Sequence, residues 1–130
     1  MLDKFIPKKI SYFLDLIRFN KPIGFLLLMW PCWFGLAYSN KDYYDLIYLY
    51  LLFFLGAFLM RSAGCIINDL IDIKIDRKIT RTMNRPLASN HISILSALIF
   101  LFVLLLFSFI ILIQFSITAI IVGILSIPII

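Results

Sequence analysis

Three apolar stretches of about bilayer-crossing length dominate this sequence and leave few ways for it to fold. They run over Pro22–Ser39, Leu46–Ile67 and Ile92–Ile113, and a fourth begins at Phe115 and continues to the last residue. A helix needs about 20 apolar residues to cross the hydrocarbon core of a bilayer. Because the mean hydropathy is +1.05, a soluble domain of 130 residues could not bury so much apolar surface. We therefore predict an all-α, polytopic membrane helix bundle in which residues 1–130 form one membrane domain with three full spans and a truncated fourth.

Basic residues are concentrated in two of the segments that flank these stretches. Lys41 is the only basic residue in the segment between the first two stretches, where it lies near Asp42 and Asp45. By the positive-inside rule, the N-terminus and the segment after the second stretch are expected on the cytoplasmic side. The net charge of +5 is thus a topology signal with some attraction to anionic lipid, and it does not indicate a nucleic-acid partner. The basic residues are Lys4, Lys8, Lys9, Arg18 and Lys21 before the first stretch, and Lys74, Arg77, Lys78, Arg81 and Arg85 after the second.

The N-terminal region allows two further interpretations. A cleaved signal peptide would need a short basic region and an uninterrupted apolar core. Here the basic region is long, and Trp30, Pro31 and Trp33 interrupt the apolar stretch, so a retained span is favoured. Residues Ser11–Phe19 are expected to form a short interfacial helix. The side chains expected to face lipid are Tyr12, Phe13, Leu16 and Ile17.

The second apolar stretch runs into the segment GCIINDLIDIKIDRK, which places four oxygen-bearing side chains beside the membrane. If the helix continues through this segment at about 100° per residue, the four share one stripe roughly 100° wide. Lys74, Arg77 and Lys78 fall on the opposite side, so they are poorly placed to neutralise the stripe. Like charges at helical spacings of three and four repel, and the stripe is therefore expected to bind an external cation. The four residues are Asn68, Asp69, Asp72 and Asp76.

Oxygen ligands with no nearby His or Cys favour a hard cation, and few carboxylates with water and phosphate favour Mg²⁺ over Ca²⁺. The alternative is a solvated helix end, but acidic residues at membrane depth are rare and usually functional. Arg61 lies 11 residues before Asp72, on the same stripe and about 16 Å deeper. An arginine at that depth should pair with an anion or line a polar cavity. This arrangement suits an amphiphile with a diphosphate head, or an aromatic acid beside one.

At these residues the sequence resembles a known family. The segment NDLIDIKID fits the NDxxDxxxD motif of the UbiA family of intramembrane prenyltransferases. The segments IRFNKPIGFLLLMWP, RSAGCIIND and RTMNRPLAS are similar to its 4-hydroxybenzoate polyprenyltransferase branch. Homogentisate, menaquinone and haem O branches share the acidic core. The resemblance covers essentially the whole chain.

The resemblance implies a larger bundle of nine helices around a cavity, where two aspartate-rich motifs hold Mg²⁺ on the diphosphate of a polyprenyl donor. By position, Asn68, Asp72 and Asp76 match the metal-facing residues of the first motif, and residues 77–90 match a cytoplasmic cap loop. Asp72, Asp76 and Arg61 are the expected catalytic residues. The expected substrate-binding residues are Arg18, Lys21, Arg61, Asn68 and Asp69.

The implied function is transfer of a polyprenyl group from polyprenyl diphosphate to the ring of 4-hydroxybenzoate, in ubiquinone biosynthesis at a bacterial-type inner membrane. The second aspartate motif is not found in these 130 residues, so they are expected to be the N-terminal part of the bundle, which a second chain could complete. Three alternatives remain: a truncated, non-catalytic member of the family, a prenyltransferase for another aromatic acceptor, and a small cation transporter. The transporter is disfavoured because no other span repeats the intramembrane acids.

Overall fold

The computed structural model describes residues 7–39 and 42–126, and all regular structure within those ranges is α-helical, as predicted. Lys4, Lys41 and the last four residues of the fourth apolar stretch lie outside the described residues. The helices are α1 (Lys8–Leu16), α2 (Ile23–Ala37), α3 (Tyr43–Ile71), α4 (Ile73–Asp76), α5 (Ile94–Leu112) and α6 (Ile117–Ser126).

Two helices of the described residues, α3 and α5, are long and apolar enough to cross a membrane. The apolar helix α2 has 15 residues. At 1.5 Å per residue, α2 is about 22 Å long and falls short of the hydrocarbon core of about 30 Å. The second and third predicted spans thus coincide with candidate membrane helices, whereas three full spans and a truncated fourth remain a prediction.

The long helix α3 lies at the centre and packs against α2 on one side and α5 on the other. Ala63 and Ile66 of α3 share a buried core with Ala97 and Leu104 of α5. Small side chains such as alanine allow membrane helices to approach closely. On the other side, Phe25 of α2 packs edge-on against two phenylalanines of α3. These contacts fix the position of α3, which carries most of the predicted site.

The N-terminal helix α1 also packs on this core. Leu16 is fully buried and Ile17 is 9% exposed, and Tyr12 and Phe13 are partly buried against the same cluster. The Phe13 ring packs edge-on against Phe100 of α5. The prediction that these side chains face lipid was wrong for Leu16 and Ile17. An amphipathic helix buries its apolar face against any apolar surface within reach, and here that surface is the protein core.

Residues 77–90, which we call the cap segment, consist of successive turns that fold back against the end of α3. Arg77 donates to the carbonyl of Ala88 at 3.1 Å and to Oδ1 of Asn90 at 2.6 Å, and thereby joins the two ends of the segment. Leu87 is 2% exposed and belongs to the core cluster. The segment is therefore closed at its ends and anchored in the core by Leu87, and its role as a cytoplasmic cap remains a prediction.

Candidate functional site

The acidic segment crosses a break between two helices. α3 ends at Ile71, and Asp72 joins it to the four-residue α4 with φ −90° and ψ 6°. The prediction of a continuous helix was wrong at this residue, because aspartate is a weak helix former and its side chain makes no capping hydrogen bond here. The amides of Asp72 and Asp76 still donate to carbonyls four residues earlier, at 2.9 and 2.8 Å. The chain therefore keeps a nearly helical path through the motif.

Two of the four predicted side chains are buried in an ionic network with arginines. Oδ1 of Asp69 accepts hydrogen bonds from Nη2 of Arg18 at 3.0 Å and from Nη1 of Arg85 at 3.1 Å. The same Nη1 of Arg85 donates to Oδ2 of Asp76 at 2.7 Å. Asp69 and Asp76 are 2% and 5% exposed, so both carboxylates need these partners to offset the loss of hydration. We call these four residues the ionic network.

The network shows that the two acidic side chains converge, as the helical stripe predicts. Their positive partners come from the turn after α1 and from the cap segment, whereas Lys74, Arg77 and Lys78 form no ion pair with the stripe in the described residues. The expectation that basic residues on the same helix do not neutralise the stripe is therefore met. Of the four predicted side chains, Asn68, Asp72 and the second oxygen of Asp76 therefore remain available to bind an external cation.

Arg18 reaches Asp69 from an unusual backbone conformation. It follows the C-cap of α1 with φ 55°, and the amides of Arg18 and Phe19 donate to the carbonyls of Asp15 and Leu14. Glycine usually occupies this position at a helix end, since the left-handed conformation costs other residues roughly 1–2 kcal/mol. The ion pair with Asp69 provides a physical reason for an arginine here in place of glycine.

Asn68 and Asp72 lie at the edge of an open face of α3. Asn68 is exposed and Asp72 is partly exposed, and neither side chain has a hydrogen bond or ion pair within the described residues. Ile71 beside them is 73% exposed. Within residues 7–39 and 42–126, no three His, Cys, Asp or Glu side chains form a group that could hold a metal ion.

The donor chemistry of this edge nevertheless fits a partial site for a hard cation. Mg²⁺ commonly binds proteins through one or two carboxylates together with water and substrate phosphates. Asp72 offers a carboxylate that has no partner among the described residues, Asp76 offers Oδ1, and Asn68 offers an amide oxygen. The three could supply the protein part of such a site and leave the remaining positions to diphosphate and water.

Arg61 lines a cavity of about 350 Å³ between the start of α2 and the middle of α3, which we call the inner cavity. Its guanidinium group crosses directly over Gly24. A Cβ atom at residue 24 would lie 2.5 Å from Nε of Arg61 and 3.1 Å from Cζ. Only glycine leaves room for the arginine in this position. Phe19, Phe25 and Phe58 contribute aromatic walls to the same cavity.

A second cavity of about 480 Å³, which we call the outer cavity, lies between α1, the end of α3 and the cap segment. Asp69 and Arg85 line it. The turn that holds Arg18 and Lys21 lines both cavities. The predicted residues Arg18, Lys21, Arg61 and Asp69 are thus gathered around one turn, whereas Asn68 and Asp72 line neither of these two cavities.

Two residues of the site escaped the sequence reasoning. From the sequence, Arg85 contributes only to the topology signal, although it lies in RTMNRPLAS, a segment that carries the resemblance. Gly24 lies in KPIG, another such segment. Both segments could have indicated a role for these residues. Nothing local indicated their contacts, since Arg85 is 16 residues from Asp69 in sequence and Gly24 is on a different helix from Arg61.

This chain is similar to known proteins over a region that includes these segments. The model of the UbiA prenyltransferase family matches residues 28–130. A protein of Pseudoalteromonas translucida named 4-hydroxybenzoate octaprenyltransferase is 40% identical over 119 residues, which cover 92% of this chain and 40% of that protein. Proteins with the same name from Shewanella pealeana and Blochmanniella pennsylvanica are 44% and 45% identical, over 78% and 86% of this chain.

The chain spans about two fifths of the length of these relatives: 40%, 35% and 38% of the three proteins, respectively. No solved structure is significantly similar to it. The matched region includes α3, the acidic segment, the cap segment and α5, which carry most of the site described above.

Proposed function

Because this chain belongs to the UbiA prenyltransferase family, we propose that it forms part of an enzyme that transfers a polyprenyl group from polyprenyl diphosphate to the ring of 4-hydroxybenzoate. The observation that carries the proposal is the grouping of Arg18, Lys21 and Arg61 around two cavities beside the acidic segment. The relatives that are named 4-hydroxybenzoate octaprenyltransferase favour this acceptor over other aromatic rings. Ubiquinone biosynthesis is the pathway that such a product would enter.

The proposed reaction begins with departure of the diphosphate. The bond between the allylic carbon and the diphosphate oxygen breaks, and the leaving group takes the electron pair. Fixed positive charges accelerate such a step when they lie where negative charge develops. Arg61 in the inner cavity and Lys21 in the turn between the cavities would supply that charge, with Arg18 beside them.

The allylic carbon then forms a bond with the ring carbon next to the hydroxyl group of 4-hydroxybenzoate. The proton on that carbon passes to the released diphosphate or to water, which restores aromaticity. The allylic cation must be protected from water until the ring attacks it. The rings of Phe19, Phe25 and Phe58 give the inner cavity an apolar wall that would serve this purpose. The apolar tail of the donor would extend along the helices or into lipid.

Mg²⁺ is the cofactor that we propose for diphosphate departure, since a divalent ion acts as a Lewis acid on the leaving group. Asn68, Asp72 and Asp76 would hold the ion at the end of α3. Their oxygen-only donor set favours a hard cation. Asp69 differs from them, because two arginines, Arg18 and Arg85, both donate to its Oδ1, and it would position those arginines.

The enzyme would lie in a bacterial-type inner membrane with the acidic segment and the N-terminus on the cytoplasmic side. The exposed basic residues of α1 and of the cap segment lie at the same end of α3 as the acidic segment, which agrees with the positive-inside rule. This arrangement would let soluble 4-hydroxybenzoate and Mg²⁺ enter from the cytoplasm while the donor enters from the bilayer.

A transfer assay in membranes tests the proposal. The chain together with any segment that follows residue 130, here called the full-length protein, would receive a polyprenyl diphosphate, Mg²⁺ and labelled 4-hydroxybenzoate. Residues 1–130 alone would be assayed in parallel. We expect prenylated 4-hydroxybenzoate from the full-length protein. Product with homogentisate but not with 4-hydroxybenzoate would reassign the acceptor, and no product with either acceptor would favour a non-catalytic member of the family.

A further inference from the structure

We propose that Arg85 is a positioning residue, which orients the carboxylate of Asp76 for metal binding and acts on the metal through that carboxylate. The inference rests on the proposed function, because it assumes that Asp76 is a metal ligand. It adds a role for the cap segment, which would act as the support of the acidic segment as well as its cover.

The contact geometry separates the two oxygens of Asp76. Oδ2 accepts a hydrogen bond of 2.7 Å from Nη1 of Arg85, and Oδ1 has no hydrogen bond within the described residues. The same Nη1 is 3.1 Å from Oδ1 of Asp69, which Arg18 also holds. One nitrogen thus fixes Asp76 relative to a carboxylate on α3 and leaves the other oxygen of Asp76 for a ligand.

Asp76 needs such support because its own helix is short. α4 has only four residues and is separated from α3 by the break at Asp72. A single helical turn gives little stability by itself, so the backbone alone would not hold the carboxylate in one orientation. Arg85 therefore supplies a constraint that α4 lacks.

Arg85 is itself held by the cap segment. Its carbonyl accepts hydrogen bonds from the amide and the hydroxyl of Ser89, at 2.9 and 2.8 Å, and its amide donates to the carbonyl of Thr82 at 2.9 Å. The hydroxyl of Thr82 in turn donates to the carbonyl of Asp76 at 3.2 Å. Buried Leu87 anchors the same turns in the core. The guanidinium group therefore projects from a backbone that is fixed before any ligand binds.

The expected magnitude follows from other metal sites. Removal of a group that hydrogen-bonds a metal ligand typically lowers metal affinity or activity by about 10–100-fold. Arg85→Gln should therefore weaken metal binding by about 10-fold or more. Arg85→Lys keeps the charge but loses the planar fork of the guanidinium, so it should restore only part of the affinity.

Binding of Mn²⁺ in the presence of inorganic pyrophosphate tests the proposal without turnover. The full-length protein in detergent would be titrated while electron paramagnetic resonance follows free Mn²⁺. Lys78→Gln removes an exposed charge from the cap segment away from the network and should bind Mn²⁺ like the wild type. Arg77→Gln loosens the ends of the cap segment without removing a network residue, and it should weaken Mn²⁺ binding less than Arg85→Gln does.

The outcomes separate this inference from the proposed function. Weaker binding in Arg85→Gln, partial recovery in Arg85→Lys and normal binding in Lys78→Gln support a positioning role. Unchanged or tighter binding in Arg85→Gln overturns it, as does an equal loss in Arg77→Gln, which would point to general loosening of the cap segment. Asp76→Asn must weaken binding in the same assay; if it does not, the metal assignment in the proposed function fails.

Discussion

Substitution of Gly24 by alanine tests whether the position of Arg61 matters for transfer. The added Cβ would lie 2.5 Å from Nε of Arg61, whereas ordinary contacts begin at 3.4 Å. Nε must therefore move by about 0.9 Å, the difference between these two distances. Since Nε is near the end of a flexible side chain, the arginine should move while the two helices keep their packing. The variant thus displaces a charge without removing it.

The expected effect is large for so small a change. A misplacement of about 1 Å at a reacting centre can lower the rate by about 100-fold. We expect kcat/KM for transfer to 4-hydroxybenzoate to fall by about 10–100-fold in Gly24→Ala. Gly35→Ala is the matched control, because residue 35 is on the same helix and a Cβ there meets nothing within 4 Å. Both variants replace a glycine of α2 by alanine, and only the one at residue 24 meets Arg61, so their difference reports that contact.

Two results would refute this reasoning. If Gly24→Ala and Gly35→Ala transfer the prenyl group equally well, the position of Arg61 in the inner cavity has no role in the reaction. If Gly24→Ala acts through Arg61, it should cost little more activity on an Arg61→Ala background, because the two changes remove one interaction. Additive losses would instead place the effect elsewhere.

Two further substitutions test the packing and the ionic network, with the free energy of unfolding in mixed detergent and SDS as the measurement. Leu16→Ala should lower the free energy of unfolding by about 2–5 kcal/mol, because Leu16 is fully buried. Ile10→Ala on the exposed side of α1 is the control and should change it little. Equally small effects of both substitutions would indicate that α1 lies at the lipid interface. Asp69→Asn should lower it by about 1–3 kcal/mol, because Arg18 and Arg85 lose a charged hydrogen-bond acceptor while their own side chains stay partly exposed. Asp15→Asn is the exposed control, and a loss as large as that of Asp69→Asn would argue against the network.

The helices were largely predictable because apolar length is a local property of the sequence. The third apolar stretch was expected over Ile92–Ile113, and α5 spans Ile94–Leu112. Ser93 is its N-cap and accepts a hydrogen bond from the amide of Ser96 at 3.1 Å. A hydroxyl before a long apolar run is a start signal that needs no tertiary information.

The site was predictable only where helical periodicity governs it. Periodicity placed Asp69 and Asp76 on one side of the helix, and they do converge on Arg85. It could not show that Arg85 would be the partner, because that contact depends on how the cap segment folds back. Nor could it show that α3 ends just before Asp72, since periodicity does not mark where a helix stops and aspartate is only a weak helix former.

The amphipathic pattern of α1 correctly predicted a helix with one apolar face, but the prediction that lipid covers this face was wrong. Leu16 and Ile17 form an apolar face whichever surface covers them. A lipid interface and a protein core both satisfy such a face, so the pattern alone does not choose between them. In the structure, a core that includes Leu87 and Ile92 covers this face, and both residues come from a segment far along the chain.

The most direct measurement is the Mg²⁺-dependent transfer rate of Asp72→Asn in the full-length protein. Asp72 is the carboxylate of the motif without a protein partner in the described residues, and Asp45→Asn in the first turn of α3 is the control. We expect the rate of Asp72→Asn to fall by about 100-fold or more, since a lost Lewis-acid contact costs several kcal/mol, while Asp45→Asn transfers normally. A wild-type rate and an unchanged Mg²⁺ requirement in Asp72→Asn would contradict a metal–diphosphate site at this end of α3.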